Sequence, residues 1–178
     1  MGLTQFQMSV LTFISILAIA IFAQLKFSLT LVPITGQTLA LGLAATVLGA
    51  RYATYSAGFY LLLGALGLPF FSGMSSGLTV ILGPKGGYLL SFIPAAFFIG
   101  FYLEKTAFTK RNAWLANILA MFFILGFGMI WLKFVAEISW SRAFFGGFAP
   151  FVIGGLIKAL LAGWLGIHLR NLIRKKQQ

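Results

Sequence analysis

From Tyr52 to Pro84 the chain runs without one charged side chain, and similar uncharged stretches cover Met1–Leu25, Phe27–Ala50, Gly86–Leu103 and Asn112–Leu132. Another opens at Ala143 and is interrupted only by Lys158 before the basic end of the chain. A helix needs about 20 apolar residues to cross a bilayer, and these stretches are of that order. Charged residues make up 8% of the 178 residues and hydrophobic ones 60%, whereas a soluble domain carries about 25% charged residues. Too few charges exist to coat a water-facing surface. The chain therefore reads as an all-α integral membrane protein, a single domain over 1–178, and a soluble globule is excluded.

The apolar runs predict six transmembrane helices, near Met8–Leu25, Gln37–Gly49, Tyr52–Leu66, Tyr88–Leu103, Ala113–Leu132 and Phe151–Leu169. The first is not a cleaved signal, because no Lys or Arg precedes Lys26 and a signal peptide begins with a basic region. Its Ser9, Thr12, Ser15 and Ala18, with Ala20 and Ala23, offer small residues for a close-packed helix or a partner subunit.

Two stretches resist the helical reading. Val32–Thr38 contains Pro33, which lacks a backbone donor, and Gly36. Gly67–Gly87 holds Pro69, Pro84, Ser72, Ser75, Ser76 and repeated glycines. Both are too apolar for solvated loops, and irregular backbone cannot face lipid. They are expected to fold into the protein or line a cavity.

Net charge is +11, yet the basic residues sit in gaps between apolar runs rather than in one stripe. Nucleic acid is therefore not an expected partner; membrane lipids are. With six spans both termini share one side, which receives Arg51, Lys105, Lys110, Arg111, Arg170, Arg174, Lys175 and Lys176. The other side receives Lys26, Lys85, Lys133 and Arg142. The excess of basic residues predicts cytoplasmic termini in a plasma or inner membrane. The two breaks then face outward, as a vestibule for an external solute.

Chemistry is scarce. Two acids, one His and no Cys leave little for acid–base catalysis, a metal cage or thiol chemistry. No cofactor, metal or enzymatic activity is expected, and no Walker motif follows the Gly83–Tyr88 turn. Lys158 stands out instead. It lies about 12 Å into the last predicted helix, where a charge costs at least about 2.5–3.5 kcal/mol. Glu104 and Glu137 sit near opposite membrane surfaces, so neither is an evident partner. A bound carboxylate would neutralise the ammonium; snorkelling, or donation to carbonyls of a helix break, is the other reading. Gly154 and Gly155 allow close approach beside it, either to a ligand or to a packed helix. Thr35, Gln37, Ser72, Ser75 and Ser76 can bond amide or hydroxyl groups of a ligand or cap helices; Thr38 reads as a cap. Tyr88 can stack on a ligand ring or anchor the membrane interface, and Lys85 falls at the vestibule mouth.

Four blocks carry a family resemblance: VPITGQTLA at Val32–Ala40, LLLGALGLPFFSG at Leu61–Gly73, LGPKGGYLL at Leu82–Leu90 and LIKALLA at Leu156–Ala162. In order and spacing they resemble BioY, the biotin-binding S component of energy-coupling factor (ECF) transporters. The resemblance implies a six-helix bundle with an outward-facing substrate site capped by loops. It also implies a coupling transmembrane subunit and a pair of ABC-type ATPase subunits as partners. Lys158 matches the family's last-helix Lys that pairs with the biotin carboxylate. Thr35 and Gln37 lie in the matched first loop, Ser75 and Ser76 in the third-loop region, and Tyr88 after the matched Gly pair. Family members commonly carry an Asp three residues before the Lys; this chain has Gly155. The resemblance thus implies capture of biotin, or of another small carboxylate-bearing vitamin or metabolite.

Overall fold

The computed structural model describes residues 4–27 and 32–175. Lys176, one of the basic residues used to orient the chain, lies outside them. Helices follow in the order α1 (Gln5–Gln24), α2 (Gln37–Leu48), α3 (Ala50–Ala65), α4 (Leu78–Leu82), α5 (Gly86–Leu90), α6 (Phe92–Lys105), α7 (Lys110–Val135), α8 (Trp140–Gly147) and α9 (Ala149–Lys175). Two short antiparallel strands, β1 (Lys26–Phe27) and β2 (Ile34–Thr35), pair Lys26 with Thr35.

Each expected helix is found, but not every one is long enough to span. Among the described residues four helical stretches are long and apolar enough to cross a membrane: Gln5–Gln24, Gly86–Lys105, Lys110–Val135 and Trp140–Lys175. α2 has 12 residues and α3 has 16, so α2 rises only about 18 Å. A short helix is tolerable here because α2 is sheathed by protein. It packs against α1, α6 and α9 and buries most of its residues.

Local chemistry explains the breaks. α1 starts in a capping box, with Gln7 N–H donating to Thr4 Oγ1 and Thr4 N–H to Gln7 Oε1. α2 and α3 reverse at Gly49, whose φ of +83° suits glycine. The next N–H, of Ala50, donates to Glu104 Oε1 at 2.8 Å, so α6 braces the turn. α5 and α6 part at Ser91, whose hydroxyl donates to the Tyr88 carbonyl at 2.7 Å. Pro94 then withholds the N–H that would have continued the ladder. Pro150 acts likewise at the α8–α9 junction, where Phe148 leaves the helix.

The bundle has two chemically different ends. At one, Arg170 is buried, donates to the Val47 carbonyl at the C-terminus of α2 and stacks over the Phe108 ring. Asn117 donates to Thr46 at 3.1 Å and ties α7 to α2 nearby. At the other end lie the two irregular stretches. Gln24 at the end of α1 donates to the Phe71 carbonyl at 3.2 Å and accepts from Met74 N–H at 2.9 Å. Trp131 of α7 donates to the Gly83 carbonyl at 3.0 Å. Irregular backbone is thus bonded inward, as a low-dielectric surrounding requires.

Candidate functional site

A cavity opens at the end of the bundle that holds the irregular stretches. Strand β2, the start of α2, the 67–77 loop, α5, α7 and α9 all contribute to its wall. The concavity, counted with its open mouth, spans about 710 Å³. Phe71, Phe92, Met121, Ile124, Leu125 and Phe151 give it an apolar lining. An apolar chamber with few polar groups is the general form of a small-molecule site.

Of the residues singled out from the sequence as ligand candidates, Thr35, Gln37, Ser72, Tyr88, Gly155 and Lys158 meet here. α9 carries Lys158 to the cavity wall, where its ammonium donates to the Thr35 carbonyl at 2.9 Å. That is the helix-break bond weighed above, made inside a chamber rather than at a membrane surface. An ammonium has three donors, so it retains capacity for an acceptor. Neither of the two acids of the chain lines the cavity. Glu104 is bonded at the Gly49 turn and Glu137 is exposed after α7. Lys85 also lines the cavity, so its charged groups are both cationic.

Several polar groups are engaged with the protein itself. Thr35 Oγ1 donates to Gln37 Oε1 at 2.8 Å, and Gln37 Nε2 donates to the Tyr60 hydroxyl at 2.5 Å. Tyr60, fully buried, donates onward to the Phe70 carbonyl at 3.2 Å. This relay ties the first irregular stretch to the second through α2 and α3. The Tyr88 ring forms wall beside Phe151, at 6.4 Å between centroids. Its hydroxyl donates to the Gly147 carbonyl at 2.6 Å. At Gly155 a side chain would collide with the Met121 sulfur, so the missing Cβ lets the thioether complete the wall.

Ser75 and Ser76 do not line the cavity; Ser72 does. The loop closes tightly, with Phe71 N–H donating to the Ser75 carbonyl at 3.0 Å and Ser75 Oγ to the Ser72 carbonyl at 3.0 Å. That closure turns Ser72 inward. Thr38 is a second correction. The N-cap of α2 is Gly36, and Thr38, two residues later, lines the cavity. Sequence reasoning also passed over Gln24, Tyr60, Met121 and Phe151. Nothing in an apolar run separates a cavity-lining Met or Phe from a lipid-facing one, whereas the lone polar Gln24 at a helix end was a readable signal.

Comparisons with known proteins converge. The model of the BioY family matches residues 3–175. Biotin transporter BioY2 of Lactococcus lactis subsp. cremoris is 41% identical over 151 residues, covering 85% of this chain and 83% of its own. Biotin transporter BioY of Thermotoga maritima is 36% identical over 156 residues, 86% of this chain and 90% of its own. The crystal structure of the S component for biotin from an ECF-type ABC transporter is similar with a TM-score of 0.86. It covers 96% of this chain and 95% of that one, at 28% identity.

Proposed function

The chain belongs to the BioY family, a family of transporter S components rather than enzymes, and from that membership we propose that it is the biotin-capturing subunit of an ECF importer. Biotin enters the cavity with its carboxylate toward Lys158 and its rings among Phe71, Tyr88, Phe92 and Phe151. The observation that carries this reading is an ammonium in an apolar chamber without a carboxylate of its own. A ligand acid supplies the missing charge, and a close charge pair shielded from water is worth several kcal/mol.

Equilibrium binding of biotin to the purified chain, with Lys158→Met beside it, is the test. Removing one partner of a buried charged pair costs about 2–5 kcal/mol, so affinity is expected to fall roughly 30-fold or more. Unchanged affinity in the variant would refute the role of Lys158. The absence of a carboxylate among the lining residues favours one further reading, another small carboxylate-bearing vitamin or metabolite. Competition against a panel of such acids separates it from biotin.

The rest of the importer lies with partners. The chain has no nucleotide-binding motif, so ATP hydrolysis falls to ABC-type ATPases acting through a coupling transmembrane subunit. Arg51, Lys105, Lys110, Arg111, Arg170, Arg174 and Lys175 do not line the cavity, whereas Lys85 does, and Lys26, Lys133 and Arg142 lie on segments at the same end of the bundle. That asymmetry supports a cavity opening outward and cytoplasmic termini.

A further inference from the structure

Among the described residues three buried side-chain polar atoms have no hydrogen-bond partner: Thr38 Oγ1, Ser72 Oγ and Arg170 Nε. Arg170 belongs to the opposite end, and its guanidinium is already bonded and stacked. Both hydroxyls line the cavity that holds Lys158, and Thr38 also borders a smaller void beside Lys158, between α2 and α7. They come from separate segments, α2 and the 67–77 loop, so one local distortion does not account for both.

Elsewhere the chain satisfies such groups locally. Thr12, Thr46, Thr54 and Thr106 each donate to the carbonyl four residues earlier, the usual helical solution. Thr38 is the second residue of α2, and its counterpart, Ile34, lies in strand β2 rather than in a helical turn. Ser72 has its own carbonyl taken by Ser75, which fixes its backbone and leaves its hydroxyl unengaged. Leaving a buried hydroxyl unbonded is costly, and native proteins rarely tolerate it away from a site of function.

The remaining uncharged polar side chains of the cavity have partners: Thr35 and Gln37 bond each other, and Gln37 also bonds Tyr60. The Tyr88 hydroxyl is held by Gly147. We propose that Thr38 and Ser72 are a specificity-determining hydroxyl pair that bonds a neutral polar group of the ligand, while Lys158 takes its acid. This rests on the cavity being the ligand site argued above. It narrows the substrate class to small acids that also carry a carbonyl or N–H group, such as a cyclic urea or amide. Acids with a purely hydrocarbon body leave both hydroxyls unpaired and are disfavoured.

Thr38→Val and Ser72→Ala, which remove each hydroxyl with little change of shape, test this on the purified full chain. Binding is measured with biotin and with its carboxamide, which lacks the tail charge, and melting is followed without ligand. Each variant is expected to weaken both ligands by a similar factor, about tenfold, whereas Lys158→Met weakens biotin far more than the carboxamide. The ligand-free melting temperature is expected to hold or rise, because a buried unbonded hydroxyl has been replaced by an apolar group. Unchanged affinity in both variants overturns the proposal. So does a fall in ligand-free melting temperature, whether or not biotin binds, since it marks the hydroxyls as structural. Failure of the unaltered chain to bind biotin overturns the biotin reading instead.

Discussion

Lys158 and Gly155 lie three residues apart on α9 and both face the cavity, yet they differ in how plainly the sequence shows them. A lone Lys inside an uncharged run is costly and therefore conspicuous. Gly155 matters through Met121, a contact between helices that no spacing rule reveals. Gly155→Ala is expected to push the Met121 thioether into the cavity and lower biotin affinity about tenfold, with Met121→Ala in the same chain restoring part of it. Titration calorimetry on the single and double variants checks this coupling. Tyr88→Phe removes the bond to the Gly147 carbonyl and leaves that buried acceptor bare. About 1–3 kcal/mol of stability is expected to go, read by thermal melting, while the aromatic wall stays. Which serine of Ser72, Ser75 and Ser76 faces inward depends on how the loop closes on Phe71. Local sequence does not fix that, and for Thr38 the capping rule pointed the wrong way.

Helix cores were legible where apolar runs were long, and helix ends were not. α7 begins at Lys110 and α9 runs through Arg170 to Lys175, both beyond the apolar stretches. Hydropathy marks what lipid or protein covers; it does not register a helix continuing into water. α8 escaped notice because Arg142 interrupts its short sequence, and α4 because glycines and prolines surround it. The Gly49 turn makes a test at this scale. Gly49→Ala brings a methyl group against the Glu104 carboxylate at a positive φ. The expected loss is at least about 1–2 kcal/mol of stability, measured by melting. The relay from Thr35 through Gln37 and Tyr60 to Phe70 predicts a kinetic effect. Tyr60→Phe cuts the tie between the two irregular stretches, and biotin is expected to dissociate several-fold faster in stopped-flow displacement.

Across the whole molecule, the four long spans, the two shorter helices and the segregated basic residues are consistent with one placement in the membrane. The absence of cysteine makes that placement directly measurable. A single cysteine at Ser76 is expected to react with a membrane-impermeant maleimide in intact cells. One at Lys105 is expected to react only after permeabilisation. The reverse pattern would invert the assigned orientation.

Thr35 offers its main-chain oxygen to Lys158, so the chain carries a neutral acceptor at the place proposed for the cargo's acid. With one of three donors so occupied, a carboxylate at this site would share the cation with that oxygen rather than meet it bare. Such sharing would temper the charge attraction and keep the grip reversible. Because that acceptor belongs to strand β2, any shift of Lys158 toward a ligand would be felt by the first irregular stretch.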